Sequence, residues 1–411
     1  MTNKRVCILT PDLIPVWSGI ATYVIGLLKN APEDIEFHVV TTKRQLPNVQ
    51  TEKEIASLMK QVGKNVRIYL ASSSTKTLWD HARFQAACLR LVPEIHRKVG
   101  FDFLHVNFPL MSELLLTITK RVRIPILSTI HTTIEGQHLG VKAGAEGSSE
   151  MEQTDLANLY LVWPLRLAEH ICLSAYSRII ATSHFIKDEL NYFHPHTKAM
   201  TIPVIHNGVD TGFFYKRKNF GSGPIADLAS KNRPVVLFTG RFVASKGINT
   251  LFDAIPLILK KFPEALFAFA GGGSSMRYLS KIGKKIRQQN CYVLGYLPWD
   301  DMPRLYSAAS VYVMPTLYES FPLRLLESMA CENAVVATDV SGIPEVVRSG
   351  ENGFLVPPKD SVALAEIVGN LLEKPKEARE IGKKARNTIA EGFSAETMAR
   401  KTFNVYAELL N

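Results

Sequence analysis

Pro234-Val235-Val236-Leu237-Phe238-Thr239-Gly240-Arg241-Phe242-Val243-Ala244-Ser245-Lys246-Gly247 is the stretch that decides the fold. Its first five residues form a short continuous apolar run, the pattern of a strand buried on both faces, and such strands belong to parallel sheets. Gly240 and Gly247 bracket the next segment, so the run ends in a loop that carries Arg241 and Lys246 just past the strand's carboxyl end. In open α/β sheets that is where ligands bind. A guanidinium and an ammonium there can neutralise a diphosphate, the task a divalent metal performs in other enzymes.

Working outward, similar runs alternate with helical-length segments. Before this stretch they are Val6 to Thr10, Phe37 to Thr41, Val66 to Leu70, Leu104 to Asn107, Ile124 to Ile130 and Ile179 to Thr182. After it come Leu266 to Ala270, Tyr292 to Leu294, Val311 to Pro315 and Val335 to Thr338. Two such series in 411 residues predict an α/β chain of two doubly wound, Rossmann-like domains. The expected division is residues 1–206, residues 207–390, and a terminal helix in 391–411 that packs back on the first domain. Phe220-Gly221-Ser222-Gly223-Pro224 reads as a flexible excursion, and Gly136 to Met151, rich in small residues, as a mobile surface loop.

Downstream, Glu319-Ser320-Phe321-Pro322-Leu323-Arg324-Leu325-Leu326-Glu327 sets two carboxylates eight positions apart across a loop-to-helix junction. Pro322 to Asn333 reads as a short helix, with Pro322 at its first position and Asn333 as a left-handed stop. Glu319 then precedes the helix, and Glu327 sits roughly 7 to 8 Å along its axis at about 1.5 Å per residue. The helix start between them favours a phosphate. Two carboxylates also fit a glycoside hydrolase, whose pair stands roughly 5 to 9.5 Å apart. The upstream cations Arg241 and Lys246 favour a departing diphosphate instead.

The formal charge of +10 is dispersed, +4 before residue 206 and +6 after it, which points to solubility and not to a nucleic-acid footprint. Local clusters at Lys120-Arg121-Val122-Arg123 and Lys281-Ile282-Gly283-Lys284-Lys285-Ile286-Arg287 make an anionic membrane surface a weaker candidate partner. The five cysteines show no C-x-x-C pair and no metal-ligand spacing, so they read as buried thiols in a reducing compartment. No apolar run reaches a membrane span, and the start enters a strand pattern, so the expected location is cytoplasmic, with peripheral attachment to the inner membrane face as an option. The chain has no Asp-x-Asp motif. No metal and no cofactor are expected.

With these residues in view, the chain resembles the family 4 retaining glycosyltransferases of the GT-B fold, two Rossmann-like domains facing across a cleft. The resemblance is carried, in order, by Trp17-Ser18-Gly19-Ile20, Thr129-Ile130-His131, Asn207-Gly208-Val209-Asp210, the Gly240-to-Gly247 loop, Gly271-Gly272-Gly273, Leu294-Gly295-Tyr296, the Glu-x7-Glu segment and Gly342-Ile343-Pro344-Glu345. It implies that Arg241 and Lys246 hold a donor diphosphate, that Glu327 accepts from ribose hydroxyls, and that Glu319 contacts the transferred sugar. It further implies that His131 faces that sugar without acting as a base, and that Gly19 lets backbone N–H groups approach the phosphate. Gly272 makes room for the nucleotide base with Tyr296 nearby, and the backbones of Phe321 and Leu323 keep N–H groups for the donor. Two positions depart from the family pattern: Ser18-Gly19 replaces a common glycine pair, and Pro322 replaces a common glycine and so removes an N–H.

The implied reaction is retaining transfer of a hexose from a nucleoside-diphosphate sugar, a UDP-sugar first and GDP-mannose second, to a hydroxyl on a glycan or lipid-linked acceptor. Leu159-Tyr160-Leu161-Val162-Trp163-Pro164-Leu165 is an apolar patch that suits a lipid-linked acceptor or membrane docking, and equally suits a core. A soluble sugar or sugar phosphate is the other acceptor class. A non-catalytic subunit of a membrane glycosyltransferase complex and a nucleotide-sugar epimerase remain open. An NAD-dependent enzyme is a poorer fit because the first turn, Pro11 to Gly19, lacks G-x-G-x-x-G.

Overall fold

The computed structural model describes residues 4–13, 18–44, 55–56, 59–60, 62–63, 65–74, 78–107, 110, 112–145, 159–272 and 288–410. Trp17, Gly273 and the basic stretch Lys281 to Arg287 lie outside the described residues. The chain divides into two compact units. Unit 1 comprises Met1–Gly136, Tyr160–Gly208 and Ala395–Asn411, and unit 2 comprises Gln137–Leu159 and Val209–Ser394. Residues 137–159, read from sequence as part of the first domain, therefore belong with unit 2.

Unit 1 is built on β1 (Lys4–Leu9), β2 (Ile35–Arg44), β3 (Val66–Ser74), β4 (Phe103–Val106), β5 (Ile126–Ile130) and β6 (Arg178–Ala181). These form one parallel sheet in the order β3-β2-β1-β4-β5-β6. Alternation along β1 explains its unbroken apolar sequence. Val6 and Ile8 face a core shared with the helices Gly19–Lys29 and Ala395–Leu410, while Cys7 and Leu9 face a second core with Phe84, Cys88 and Cys172. The terminal helix closes on its neighbour at Gly26, where an added Cβ would lie 3.2 Å from Ala395 Cβ.

Unit 2 repeats the plan with β7 (Val235–Thr239), β8 (Leu266–Ala270), β9 (Cys291–Gly295), β10 (Val311–Met314), β11 (Ala334–Thr338) and β12 (Phe354–Val356). The order is β12-β11-β10-β7-β8-β9, again parallel. Its core on one sheet face is aromatic, with Phe238, Phe242, Phe252, Phe267 and Phe269 all buried. β12 escapes the sequence reading because it is an edge strand of three residues.

Three local expectations need correction. Residues 136–145 are not a loop but part of the helix Ile134–Ala145; only residues 146–151 of that segment lie outside the described residues. Its glycines serve close packing: within unit 2 a Cβ on Gly140 would lie 2.7 Å from Tyr318 Cβ, and one on Gly144 2.6 Å from the Ser245 nitrogen. Phe220 to Gly223 form an irregular, largely exposed segment, as expected of an excursion, and Gly223 is the N-cap of the helix Pro224–Ser230. The helix after Glu319 runs Leu323–Ala330 with Pro322 as its N-cap, one position earlier than expected, because Pro322 has ψ 70 while its carbonyl already accepts from the Leu325 and Leu326 N–H groups. The left-handed residue beyond it is Glu332 and not Asn333, whose side chain is buried and donates to the Tyr306 carbonyl and to Ser328 Oγ.

Candidate active site

In unit 2 the sheet grows from β7 outward to β8 and β9, then resumes on the other side of β7 with β10. The switch point therefore lies between β7 and β10, and their carboxyl-end loops form the crevice where such sheets bind ligands. Those loops are Gly240–Gly247 and Pro315–Pro322. They are tied together by the Leu317 N–H donating to the Ser245 carbonyl at 2.8 Å and by Thr316 Oγ1 donating to the same carbonyl at 3.2 Å. Gly247 has φ +65, and a Cβ there would stand 1.6 Å from the Pro315 carbonyl oxygen, so only glycine permits this approach.

The clamp sets Lys246 against Glu319. Lys246 Nζ donates to Glu319 Oε2 at 2.6 Å, with side-chain exposures of 31% and 18%. Arg241 is partly exposed at the start of the same loop. Glu319 is also held through its backbone, whose carbonyl accepts from the Gly342 N–H at 3.1 Å.

Beside this clamp the ends of β7, β8 and β9 are laced by main-chain bonds: Gly240 to the Ala270 carbonyl at 2.9 Å, Phe242 to that of Gly272 at 2.9 Å, and Gly271 to that of Gly295 at 2.7 Å. Gly271, with φ +130, leaves no room for a side chain, since its Cβ would fall 1.9 Å from the Gly240 oxygen. Gly272 faces Tyr296, whose ring a Cβ would meet at 2.7 Å. The two residues read from sequence as flanking a nucleotide base are thus in contact.

Glu327 is fully buried. Arg324 Nη1 donates to its Oε1 and Oε2 at 3.1 and 2.8 Å, and the Tyr306 hydroxyl donates to Oε2 at 2.7 Å. Burial and this carboxylate push the Tyr306 hydroxyl well above the ordinary tyrosine range. Tyr306 in turn shares Thr239 Oγ1 with Tyr312, at 3.3 and 3.0 Å, so the network runs from the helix Leu323–Ala330 to the carboxyl end of β7 and to Tyr312 within β10. Glu327 is therefore neither an ordinary exposed helix residue nor an open carboxylate. A ribose would meet only the lone pairs that Arg324 and Tyr306 leave. Phe321 and Leu323 have buried side chains, and the Leu323 N–H turns back to the Phe321 carbonyl at 3.1 Å.

His131 and Gly19 belong to unit 1. Gly19 opens the helix Gly19–Lys29, whose cap Ser18 accepts from the Ala21 N–H at 3.2 Å. His131 lies just past β5, is buried, and packs edge-on against Tyr23 with ring centroids 4.8 Å apart. Burial lowers its pKa to about 3, so the imidazole is neutral at pH 7 and far too weak a base to deprotonate a hydroxyl. Sequence reading missed Arg324 as the partner of Glu327, and it missed Tyr306 and Tyr312.

Comparison with known proteins completes this picture. A model described as Glycosyltransferase Family 4 matches residues 17–213, and one described as Glycosyl transferases group 1 matches residues 225–388. The chain belongs to glycosyltransferase family 4. Alpha-maltose-1-phosphate synthase of Mycolicibacterium smegmatis is 32% identical to this glycosyltransferase over 259 residues, a match covering 59% of this chain and 65% of the relative. Sucrose-phosphate synthase from Thermosynechococcus elongatus has the same fold, with TM-score 0.78 at 23% identity over 99% of both chains. So does Anabaena HepE, solved with UDP and glucose, with TM-score 0.73 at 19% identity over 98% of this chain and 99% of that one. The two six-stranded parallel sheets of this glycosyltransferase are thus those of the GT-B fold. Among its described residues no helix is long and apolar enough to cross a membrane.

Proposed function

We propose that this glycosyltransferase moves a hexose from a nucleoside-diphosphate sugar, with a UDP-sugar as first choice and GDP-mannose as second, to a hydroxyl acceptor with retention of configuration and without a metal. The observation that carries this reading is the Lys246–Glu319 contact at the switch point of unit 2, with Arg241 on the same loop. On this reading the ammonium that would meet the diphosphate stands directly beside the carboxylate that would meet sugar hydroxyls. In the reaction the bond from the anomeric carbon to the diphosphate oxygen breaks, and Lys246 and Arg241 neutralise the charge that develops there. The acceptor oxygen bonds to the anomeric carbon on the same face, and its proton passes to the departing phosphate oxygen. The products are the glycoside and the nucleoside diphosphate. No protein base is called for, which suits a neutral His131. HepE, solved with UDP and glucose, supports the UDP-sugar choice.

For the acceptor, the stretch read as either patch or core has Tyr160 80%, Leu161 42% and Trp163 75% exposed, with Leu167 62% exposed one turn on. That face supports a lipid-linked acceptor reached from an anionic cytoplasmic membrane surface. The second reading, a soluble sugar phosphate, is supported by the name of the maltose-1-phosphate synthase relative.

The deciding experiment is a thermal-shift screen against UDP, GDP, ADP and their sugar conjugates, since a ligand at 100 times its Kd stabilises a fold by about 2.7 kcal/mol. A selective shift that Arg241→Ala abolishes supports the reading, and no shift with any nucleotide rejects it. Turnover restored by magnesium after EDTA treatment would remove the metal-independent part. Failure to bind anionic vesicles at low salt would remove the membrane part.

A further inference from the structure

Unit 1 has its own switch point, between β1 and β4, and Asn107 stands at the carboxyl end of β4 beside it. The backbone there is fixed, the Asn107 N–H donating to the Leu9 carbonyl at 3.2 Å. The side chain is fully buried, yet among the described residues neither its nitrogen nor its oxygen has a hydrogen-bond partner. Folded proteins rarely leave a whole primary amide in that condition, because each unpaired group forfeits its hydration without recompense.

The surroundings make the contrast sharper. Strand alternation puts Phe103, His105 and Asn107 on one face of the sheet, together with Leu127, Thr129 and His131 from β5, and Phe103 and Leu127 lie in the core beneath the helices Gly19–Lys29 and Ala395–Leu410. Lower on this face the polar groups are paired. His105 Nδ1 meets the Tyr406 hydroxyl at 2.6 Å, His105 Nε2 meets Thr129 Oγ1 at 2.8 Å, and the Tyr23 hydroxyl meets the same Oγ1 at 3.2 Å. One step higher, at the carboxyl ends, Asn107 and His131 Nε2 are both left without partners among the described residues. A neutral amide and a neutral imidazole together offer donors and acceptors but no charge. They match a sugar hydroxyl, which is itself both donor and acceptor, and not a phosphate.

We propose that Asn107, with His131 Nε2, binds a hydroxyl of a sugar substrate at the switch point of unit 1, which makes Asn107 a specificity-determining contact of the transfer reaction. This rests on the glycosyltransferase function proposed above. The hydroxyl belongs either to the donor's sugar or to the acceptor, and the test separates the two.

Asn107→Leu replaces the amide by an apolar group with the same number and branching of heavy atoms, with Asn107→Ala as the smaller companion. UDP and UDP-glucose are titrated into each protein. UDP-glucose turnover is then measured with water alone and with glucose, maltose and glucose 1-phosphate as probe acceptors. The expected result for Asn107→Leu is an unfolding midpoint equal to or above the wild type, unchanged UDP affinity, and turnover reduced about tenfold or more, the loss of one good hydrogen bond. Weakened UDP-glucose binding beside intact UDP binding assigns the hydroxyl to the donor's sugar. A loss confined to the probe acceptors, with hydrolysis by water intact, assigns it to the acceptor. An Asn107→Leu protein that melts lower yet binds and turns over UDP-glucose as the wild type does would overturn the proposal. A wild type that neither binds nor consumes UDP-glucose would instead count against that donor in the functional reading; the melting comparison then decides alone, a destabilised Asn107→Leu protein showing a structural amide and a stable one leaving Asn107 as an unfilled ligand contact.

Discussion

Lys246 Nζ and Glu319 Oε2 stand 2.6 Å apart although 73 residues separate them in the chain, because the loops after β7 and β10 are clamped through Ser245 and Gly247. The pair is half-buried, and an ion pair of that kind contributes roughly 1 kcal/mol or less to stability. Its cost to the fold is small. On the proposed function, its value would lie in holding the ammonium at a place where a donor diphosphate could share it.

Lys246→Ala is therefore expected to lower the unfolding free energy by about 1 kcal/mol or less. Loss of one preorganised cation should lower kcat/KM by roughly 10²- to 10³-fold. Steady-state kinetics on UDP-glucose beside a urea titration checks both. Equal loss of stability and activity would recast Lys246 as a structural residue.

Glu327 behaves in the opposite way. Its carboxylate is fully buried and both oxygens are taken up by Arg324, with Tyr306 on one of them. Arg324→Ala leaves that charge unpaired in the interior and should cost about 3 to 5 kcal/mol. Glu327→Gln should cost less, because the amide oxygen still accepts from Tyr306. Chemical denaturation of the two proteins orders them; an Arg324→Ala protein as stable as Glu327→Gln would show that the pair is not the main support of this helix.

The contrast between these two carboxylates shows which parts of the site were legible in the sequence. Buried parallel strands announce themselves as apolar runs, so the loops at their ends, and Arg241, Lys246 and Glu319 on them, could be found by reading alone. Whether Glu327 is open or enclosed depends on Tyr306, which arrives from another helix with no local signal. Asn107 is similar, since an amide becomes an orphan only through what surrounds it. Residues 136–145 were misread for another reason. Glycine lowers helix propensity, and here that cost is accepted so that the helix can approach Ser245 and Tyr318.

Acid should weaken unit 1 through its histidines. Burial lowers the pKa of His131 to about 3, and burial together with the neighbouring His131 lowers that of His105 to about 3, against an ordinary value of 6.5. The unfolded chain therefore binds protons below pH 6.5 that the folded chain refuses until about pH 3. Stability is fully present above pH 6.5 and falls as the pH drops through that window, by up to about 1.4 kcal/mol per pH unit for each histidine. His131→Phe, which keeps the edge-on contact with Tyr23, should flatten the dependence by one proton in urea titrations between pH 7 and pH 4.5. An unchanged slope would show that His131 titrates alike in both states.

Two glycines of unit 2 separate close packing from backbone conformation. Gly271 and Gly350 both have positive φ, +130 and +81, but a Cβ on Gly271 would lie 1.9 Å from the Gly240 oxygen, whereas one on Gly350 meets nothing within 4 Å. Gly350→Ala should therefore cost only the left-handed penalty of roughly 1 to 2 kcal/mol. Gly271→Ala must also part the ends of β7 and β8, breaking the main-chain bonds that Gly240 and Phe242 donate across them, and should cost about 3 kcal/mol or more. Because Arg241 sits between those two donors, Gly271→Ala should abolish the nucleotide-induced thermal shift while Gly350→Ala keeps it. A Gly271→Ala protein that retained a wild-type shift would mean that the spacing of these strand ends does not govern nucleotide binding by the Gly240–Gly247 loop.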